Sequence, residues 1–161
     1  MSQKIGPVKR AFGSPRGLKF AMNIWPPLLF SGIRILEIGP NFSHVHLRLA
    51  KSHLTSNYFG TQYGGSLFSM TDAFWVIMIA QNLGPAYTVW DKRTEIEFIA
   101  PGRTKVTAKL RLEPSVLAEI KECADRGEKV LRWFDTDLLN NSGDVVATVR
   151  KQVFVRLKPT G

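Results

Sequence analysis

The period of apolar and polar residues changes several times along the chain, and each change predicts an element. Val45, Leu47 and Leu49 alternate with His44, His46 and Arg48, the period-two signature of a half-buried strand. Ile33 to Gly39 reads as a strand before it, closed by the turn signal Gly39-Pro40-Asn41. From Gly64 to Leu83 the chain is apolar on most sides, which predicts a helix stopped by Gly84-Pro85. Tyr87 to Ala100 returns to alternation, with Thr94, Ile96 and Phe98 on one side and Arg93, Glu95 and Glu97 on the other. Pro101-Gly102 turns the chain, and Lys105 to Leu112 alternates again. Pro114 to Asp125 reads as a short helix with Gly127 as its stop. Two strands, about 129 to 139 and 144 to 157, flank Asn140-Asn141-Ser142-Gly143 as a hairpin. Upstream, residues 16 to 30 form a short amphipathic pattern that Pro26-Pro27 interrupts, and residues 1–15 read as a flexible N-terminal tail.

Strands, one long apolar helix, then four more strands with a minor helix inserted make an α+β order. A helix this apolar must be covered on most sides. A curved antiparallel β-sheet wrapped around one long central helix covers it with the fewest elements, as a single domain over residues 16–161. The exposed back of such a sheet invites a partner subunit.

Composition narrows the picture. A chain of 161 residues, 44% apolar and 11% aromatic, buries a sizeable core and is not disordered. The single cysteine, Cys123, excludes an internal disulfide and fits a reducing compartment. No apolar run is long enough to span a bilayer. The apolar stretch Ile24 to Phe30 carries two prolines and no cleavage site, so no secretory signal is read and a cytoplasmic location is expected. The formal charge of +9 would suit nucleic acid, an anionic membrane or a phosphorylated small molecule. Its bases are spread along the chain without interleaved aromatics, so no dedicated nucleic-acid surface is expected. The basic stretch before Glu37 holds no acid, which suggests weak membrane association through the N-terminus.

Candidate chemistry concentrates between Asn57 and Asp72: a polar loop, the pair Gly64-Gly65 opening the apolar helix, and one carboxylate two turns inside it. Paired glycines let a ligand approach the backbone closely. A helix start presents free N–H groups that can hold an anion or polarise a carbonyl. A carboxylate in an apolar helix is costly unless something uses or satisfies it. Together these features suggest an acyl-transfer or hydrolytic site.

Asn57, Tyr63-Gly64-Gly65 six residues later, and Asp72 nine beyond Tyr63 are similar to the motif of phenylacetate-pathway-type acyl-CoA thioesterases, which carry His at the Tyr63 position. Trp25-Pro26-Pro27, Gly32-Ile33-Arg34, Gln81-Asn82-Leu83-Gly84 and Trp90-Asp91-Lys92 resemble the pattern of a bacterial hotdog family, a domain of unknown function, over roughly residues 18 to 157. The resemblance implies the hotdog fold and hydrolysis of an acyl-CoA or a related acyl-carrier thioester. It makes Asp72 the general base or nucleophile, the Gly64-Gly65 backbone the group that polarises the thioester carbonyl, and Asn57 the group that orients carbonyl or water. It also implies a site between two subunits, hence a homodimer or a dimer of dimers. No metal or redox cofactor is needed, and coenzyme A enters as part of the substrate.

Further residues take supporting roles. Tyr63 is a wall or loop anchor. Phe68, Ser69 and Trp75 share a helix face with Asp72; if that face lines an acyl channel, it desolvates the carboxylate. Asp91 falls near a strand position where related thioesterases place a polar residue for water, with a local charge pair to Lys92 as the alternative. Arg103 and Lys105 follow the Pro-Gly turn, where they could meet coenzyme A phosphates or form a solvated turn. His44, His46 and His53 lack a cysteine or paired carboxylate to complete a metal site. Thr61, Ser66 and Ser69 lack a base, which argues against a serine-hydrolase triad. The alternative function is a non-catalytic acyl-CoA-binding module, for which Tyr63 in place of His is the best support.

Overall fold

Alternating stretches become strands and the apolar run becomes the buried axis, as a computed structural model describing residues 13–159 shows. The strands are β1 (Ile33–Ile38), β2 (His44–Leu49), β3 (Tyr87–Phe98), β4 (Val106–Arg111), β5 (Val130–Leu139) and β6 (Val145–Leu157). They form one antiparallel sheet in the order β1-β2-β4-β5-β6-β3. The helices are α1 (Pro15–Ile24), α2 (Pro26–Phe30), α3 (Gly64–Ser69), α4 (Phe74–Leu83) and α5 (Pro114–Asp125). The expected tail over residues 1–15 lies largely outside the described residues. Of it, Ser14 and Pro15 already belong to α1 as cap and first residue, the Ser14 hydroxyl accepting the Gly17 N–H at 3.1 Å.

The core lies between sheet and central helix. Val45, Leu47 and Leu49 of β2, Val106, Ala108 and Leu110 of β4, and Val149, Val153 and Val155 of β6 point inward. They share one buried cluster with Phe74, Trp75, Met78 and Ile79 of α4. The helix expected from Gly64 to Leu83 is present in two pieces, α3 and α4, joined by a tight turn at residues 70–73. There the Thr71 N–H bonds the Phe68 carbonyl and the Asp72 N–H bonds the Ser69 carbonyl, three residues back instead of four. Asp72 therefore sits in an interruption of the helix.

The two sheet edges differ. The Asn23 side chain of α1 accepts the Ile35 N–H at 2.8 Å and donates to the Ile35 carbonyl at 3.0 Å, so α1 closes the β1 edge. On the β3 edge, Trp90, Phe98 and the following Ile99 are more than half exposed. Strand β3 also carries an irregularity: its register with β6 shifts between Asp91 and Arg93, which leaves Lys92 as a bulge. The hairpin at Asn140 is closed by that side chain, whose Oδ1 accepts the Ser142 and Asp144 N–H groups. Among the described residues no helix is long and apolar enough to cross a membrane.

Candidate functional site

The loop before α3 is tied down by its own polar residues. Ser52 and Thr55 cap a short 3-10 turn reciprocally. Asn57 Oδ1 accepts the N–H groups of Phe59 at 3.0 Å and Thr61 at 3.1 Å, and its Nδ2 donates to the Thr61 hydroxyl at 2.9 Å. In this conformation the Asn57 amide braces the loop. Gln62, buried, donates through Nε2 to the carbonyls of Ala50 and Thr104 at 3.1 and 3.0 Å, anchoring the loop to the turn before β4.

These anchors set where α3 begins. Tyr63 occupies the cap position and makes no side-chain hydrogen bond to the helix start, although its ring and hydroxyl lie over Gly65. A Cβ on Gly64 would lie 3.0 Å from the Phe98 ring, and one on Gly65 would lie 2.4 Å from the Tyr63 ring. Two aromatic rings thus rest on the glycine pair, one from β3 and one from the cap.

A groove runs along each side of this start. One, of about 420 Å³, is lined by Phe30, Leu54, Ser56, Tyr63, Gly65 and Ser69. The other, of about 550 Å³, is lined by Asn57, Gly64, Leu67, Phe98, Ile99 and Arg103 among others. Lys105 is exposed and lines neither groove, and Phe68 is half-buried outside both. Trp75 belongs to the core: it stacks on Phe134 with ring centroids 4.3 Å apart, and its Nε1 donates to the Thr136 hydroxyl at 3.0 Å.

Asp72 and Asp91 come together elsewhere, around a residue that pattern reading counts only as one of the scattered bases. Lys151 of β6 is 1% exposed, and its ammonium donates to Asp72 Oδ1 at 2.9 Å and to Asp91 Oδ2 at 3.1 Å. The same Nζ also donates to the Asp72 main-chain carbonyl. The three donors of one ammonium meet three acceptors, two on Asp72 in the helix break and one on Asp91 in β3. Asp91 pairs with Lys151, not in a local pair with Lys92, because the bulge at Lys92 turns Asp91 and Thr94 to the same face. Burial raises the Asp91 carboxyl above its ordinary value; the Lys151 ammonium pulls it down and the Asp72 charge pushes it up.

The Asp72 side chain is 56% exposed, so within one chain it is not desolvated by an acyl channel, and it lines neither groove. Its second oxygen, Oδ2, takes no part in the Lys151 contacts. The expected site residues therefore separate: Tyr63, Gly65 and Ser69 on one groove, Asn57, Gly64 and Arg103 on the other, Asp72 with Asp91 on Lys151, and Phe68, Trp75 and Lys105 on none of them. The sequence does hold a signal for Lys151. It interrupts an inward register of Val149, Val153 and Val155, where a charge needs buried partners. Among the described residues no three His, Cys, Asp or Glu converge to hold a metal ion.

Solved structures share this architecture. A Pseudomonas aeruginosa protein described as a "probable thioesterase" superposes with a TM-score of 0.78 at 21% identity, over 89% of this chain and 97% of its own. A thioesterase from Haemophilus influenzae gives 0.65 at 17% identity, over 89% and 91%. The E. coli PaaI protein from the phenylacetic acid degradation operon gives 0.60 at 17% identity, over 88% and 91%. At these identities the likeness establishes the fold, the hotdog arrangement of a curved sheet around a central helix. No curated protein matches the chain in sequence. The model of the family described as a domain of unknown function, DUF4442, matches residues 14–155, and the chain belongs to that family.

Proposed function

We propose that the protein is a hotdog thioesterase that hydrolyses an acyl-CoA or a related acyl-carrier thioester. The observation that carries this reading is the Asp72 carboxylate. It sits at an interruption of the central helix, one oxygen held by Lys151 and its side chain open to solvent, on a fold shared with proteins described as thioesterases. In the reaction Asp72 takes a proton from water, whose oxygen attacks the thioester carbonyl. The backbone N–H groups at Gly64 and Gly65 stabilise the oxyanion. Collapse of the tetrahedral intermediate breaks the C–S bond, the thiolate takes the proton back from Asp72, and a free thiol and a carboxylic acid leave, the acid giving its own proton to solvent. Direct attack by Asp72 on the carbonyl, followed by hydrolysis of the anhydride, is the covalent variant of the same assignment.

In one chain the glycine turn and Asp72 open onto different surfaces, so the reading requires a second copy that brings its glycine turn to this Asp72. The open β3 edge, with Trp90, Phe98 and Ile99 exposed, is the surface offered for that homodimer or for a dimer of dimers. In this reading Arg103, which lines the Gly64 groove, and the exposed Lys105 meet phosphates of coenzyme A. Asn57 acts by holding the loop that presents Gly64. Weak association of the basic N-terminus with anionic membrane and a cytoplasmic location complete the proposal.

The experiment is thiol release from short, long and aromatic acyl-CoA esters by wild type and Asp72→Asn. Turnover that Asp72→Asn abolishes, in a variant that remains folded and keeps its oligomeric state, supports the reading. Tight acyl-CoA binding without turnover replaces it with the non-catalytic module, for which Tyr63 in place of His speaks. Turnover untouched by Asp72→Asn removes the mechanism.

A further inference from the structure

Three departures from regular structure converge on one point. The central helix is interrupted at residues 70–73, β3 bulges at Lys92, and a lysine occupies an inward position of β6 between Val149 and Val153. Each is unfavourable or neutral by itself, and local rules break together at sites where function is selected over stability. Burying an ammonium costs several kcal/mol, and replacing a buried ion pair as a whole by apolar residues of similar volume is often neutral or stabilising. Core packing alone therefore does not call for Lys151.

The contacts show what the three departures accomplish. Interrupting the helix brings both the carbonyl and the carboxylate of Asp72 to Nζ; the bulge turns Asp91 inward to the same atom. All three ammonium donors are consumed, so Lys151 has no free donor for a substrate. Its contact with Oδ1 fixes the Asp72 rotamer and leaves Oδ2 as the reactive oxygen. Asp91 competes for the same positive charge.

We propose that Lys151 is a positioning residue that clamps Asp72 for attack, and that Asp91 tunes the clamp by sharing its ammonium. The proposal rests on the thioesterase reading for its chemistry, and on the geometry alone for the clamp. The charged groups acting on Asp91 are Lys151 and Asp72. The sheet neighbours of Lys151 are the uncharged Thr94 of β3 and Phe134 of β5, and the nearby α4 and β5 side chains, Trp75 and Thr136, are bonded to each other.

The test is the pH profile of kcat/KM in Asp91→Asn and Lys151→Met. Removing Asp91 leaves the whole ammonium to Asp72, so the acid limb moves to lower pH. Removing Lys151 leaves two neighbouring carboxylates without a counter-charge, so the limb moves to higher pH. Lys151→Met also lowers kcat by about tenfold or more with KM held, as loss of orientation does. Opposite displacements support the clamp. A uniform loss of rate with neither limb displaced overturns it and leaves Lys151 a structural brace.

If Lys151→Met does not fold, the isosteric Asp91→Asn decides alone, since an unmoved limb refutes the tuning on which the proposal depends. If wild type turns over no thioester, the function reading falls separately. The clamp is then judged from carbon-13 carboxyl titrations of Asp72 in the same variants, where opposite displacements support it and unchanged curves overturn it.

Discussion

Lys151→Met separates what the cluster contributes to folding from what it contributes to chemistry. The ammonium makes two ion pairs, at 2.9 and 3.1 Å, and a further bond to the Asp72 carbonyl. Removing one partner of a fully buried pair costs about 3–5 kcal/mol, because a charge is left unpaired in a low dielectric. Here the stranded partners are less confined: the Asp72 side chain is 56% exposed and that of Asp91 35%, so water replaces much of the lost pairing. Methionine keeps most of the apolar stem in the core and avoids desolvating an ammonium. The balance is a destabilisation of about 2 kcal/mol, which corresponds to a Tm lower by about 4–8 °C for a chain of this size. Asp91→Asn removes one of the stranded charges, so the double variant should be less unstable than the sum of the singles by about 1 kcal/mol. Urea unfolding at neutral pH and one fixed protein concentration measures all three variants. Far-ultraviolet dichroism and the fluorescence of Trp75, stacked on Phe134 beside Lys151 in the sheet, serve as probes. A Lys151→Met protein within about 0.5 kcal/mol of wild type, or strict additivity with Asp91→Asn, would refute the claim that these groups form one coupled cluster.

Three further expectations follow from the same geometry. Because burial raises the Asp91 carboxyl above its ordinary 3.8, the folded chain holds that proton more tightly than the unfolded chain does. Asp91 therefore lowers stability as pH rises from its unfolded to its folded value, and Asp91→Asn removes this slope; Tm against pH for both proteins checks it, and parallel curves would contradict it. Trp75→Phe keeps the stack on Phe134 but leaves the buried Thr136 hydroxyl without its donor, for a loss of about 1–2 kcal/mol by urea unfolding. Gly65→Ala places a methyl against the Tyr63 ring, which is exposed enough to swing outward, while alanine favours the helix by up to about 1 kcal/mol. Its Tm should hold while thiol release falls tenfold or more, and undiminished release would remove the Gly65 N–H from the reaction.

Strand and helix positions were largely legible in the sequence, because each has a local physical cause. Val45, Leu47 and Leu49 alternate for a half-buried strand, Gly84-Pro85 ends the apolar run, and the Asn140 to Gly143 turn forms its hairpin by bonding its own backbone. The interruption of the central helix was not legible, since residues 70–73 carry no proline or glycine and the apolar run resumes directly after Asp72. Asn57, Gly64, Gly65 and Asp72 stand out by type and spacing alone. Spacing along a chain, however, does not say which surface each residue faces.

The order of elements, their periods and the curved sheet around an apolar helix can all be read along the chain. Hydrophobic periodicity is a one-dimensional property, and burial of the apolar faces leaves few arrangements of it. The meeting of Asp72, Asp91 and Lys151 arises in three dimensions alone. They lie on a helix break and two strands, and their contact depends on a one-residue bulge at Lys92 that changes which β3 side chains face inward. A bulge leaves almost no trace in the pattern. A lysine between valines becomes intelligible once the two carboxylates that neutralise it are seen beside it in space.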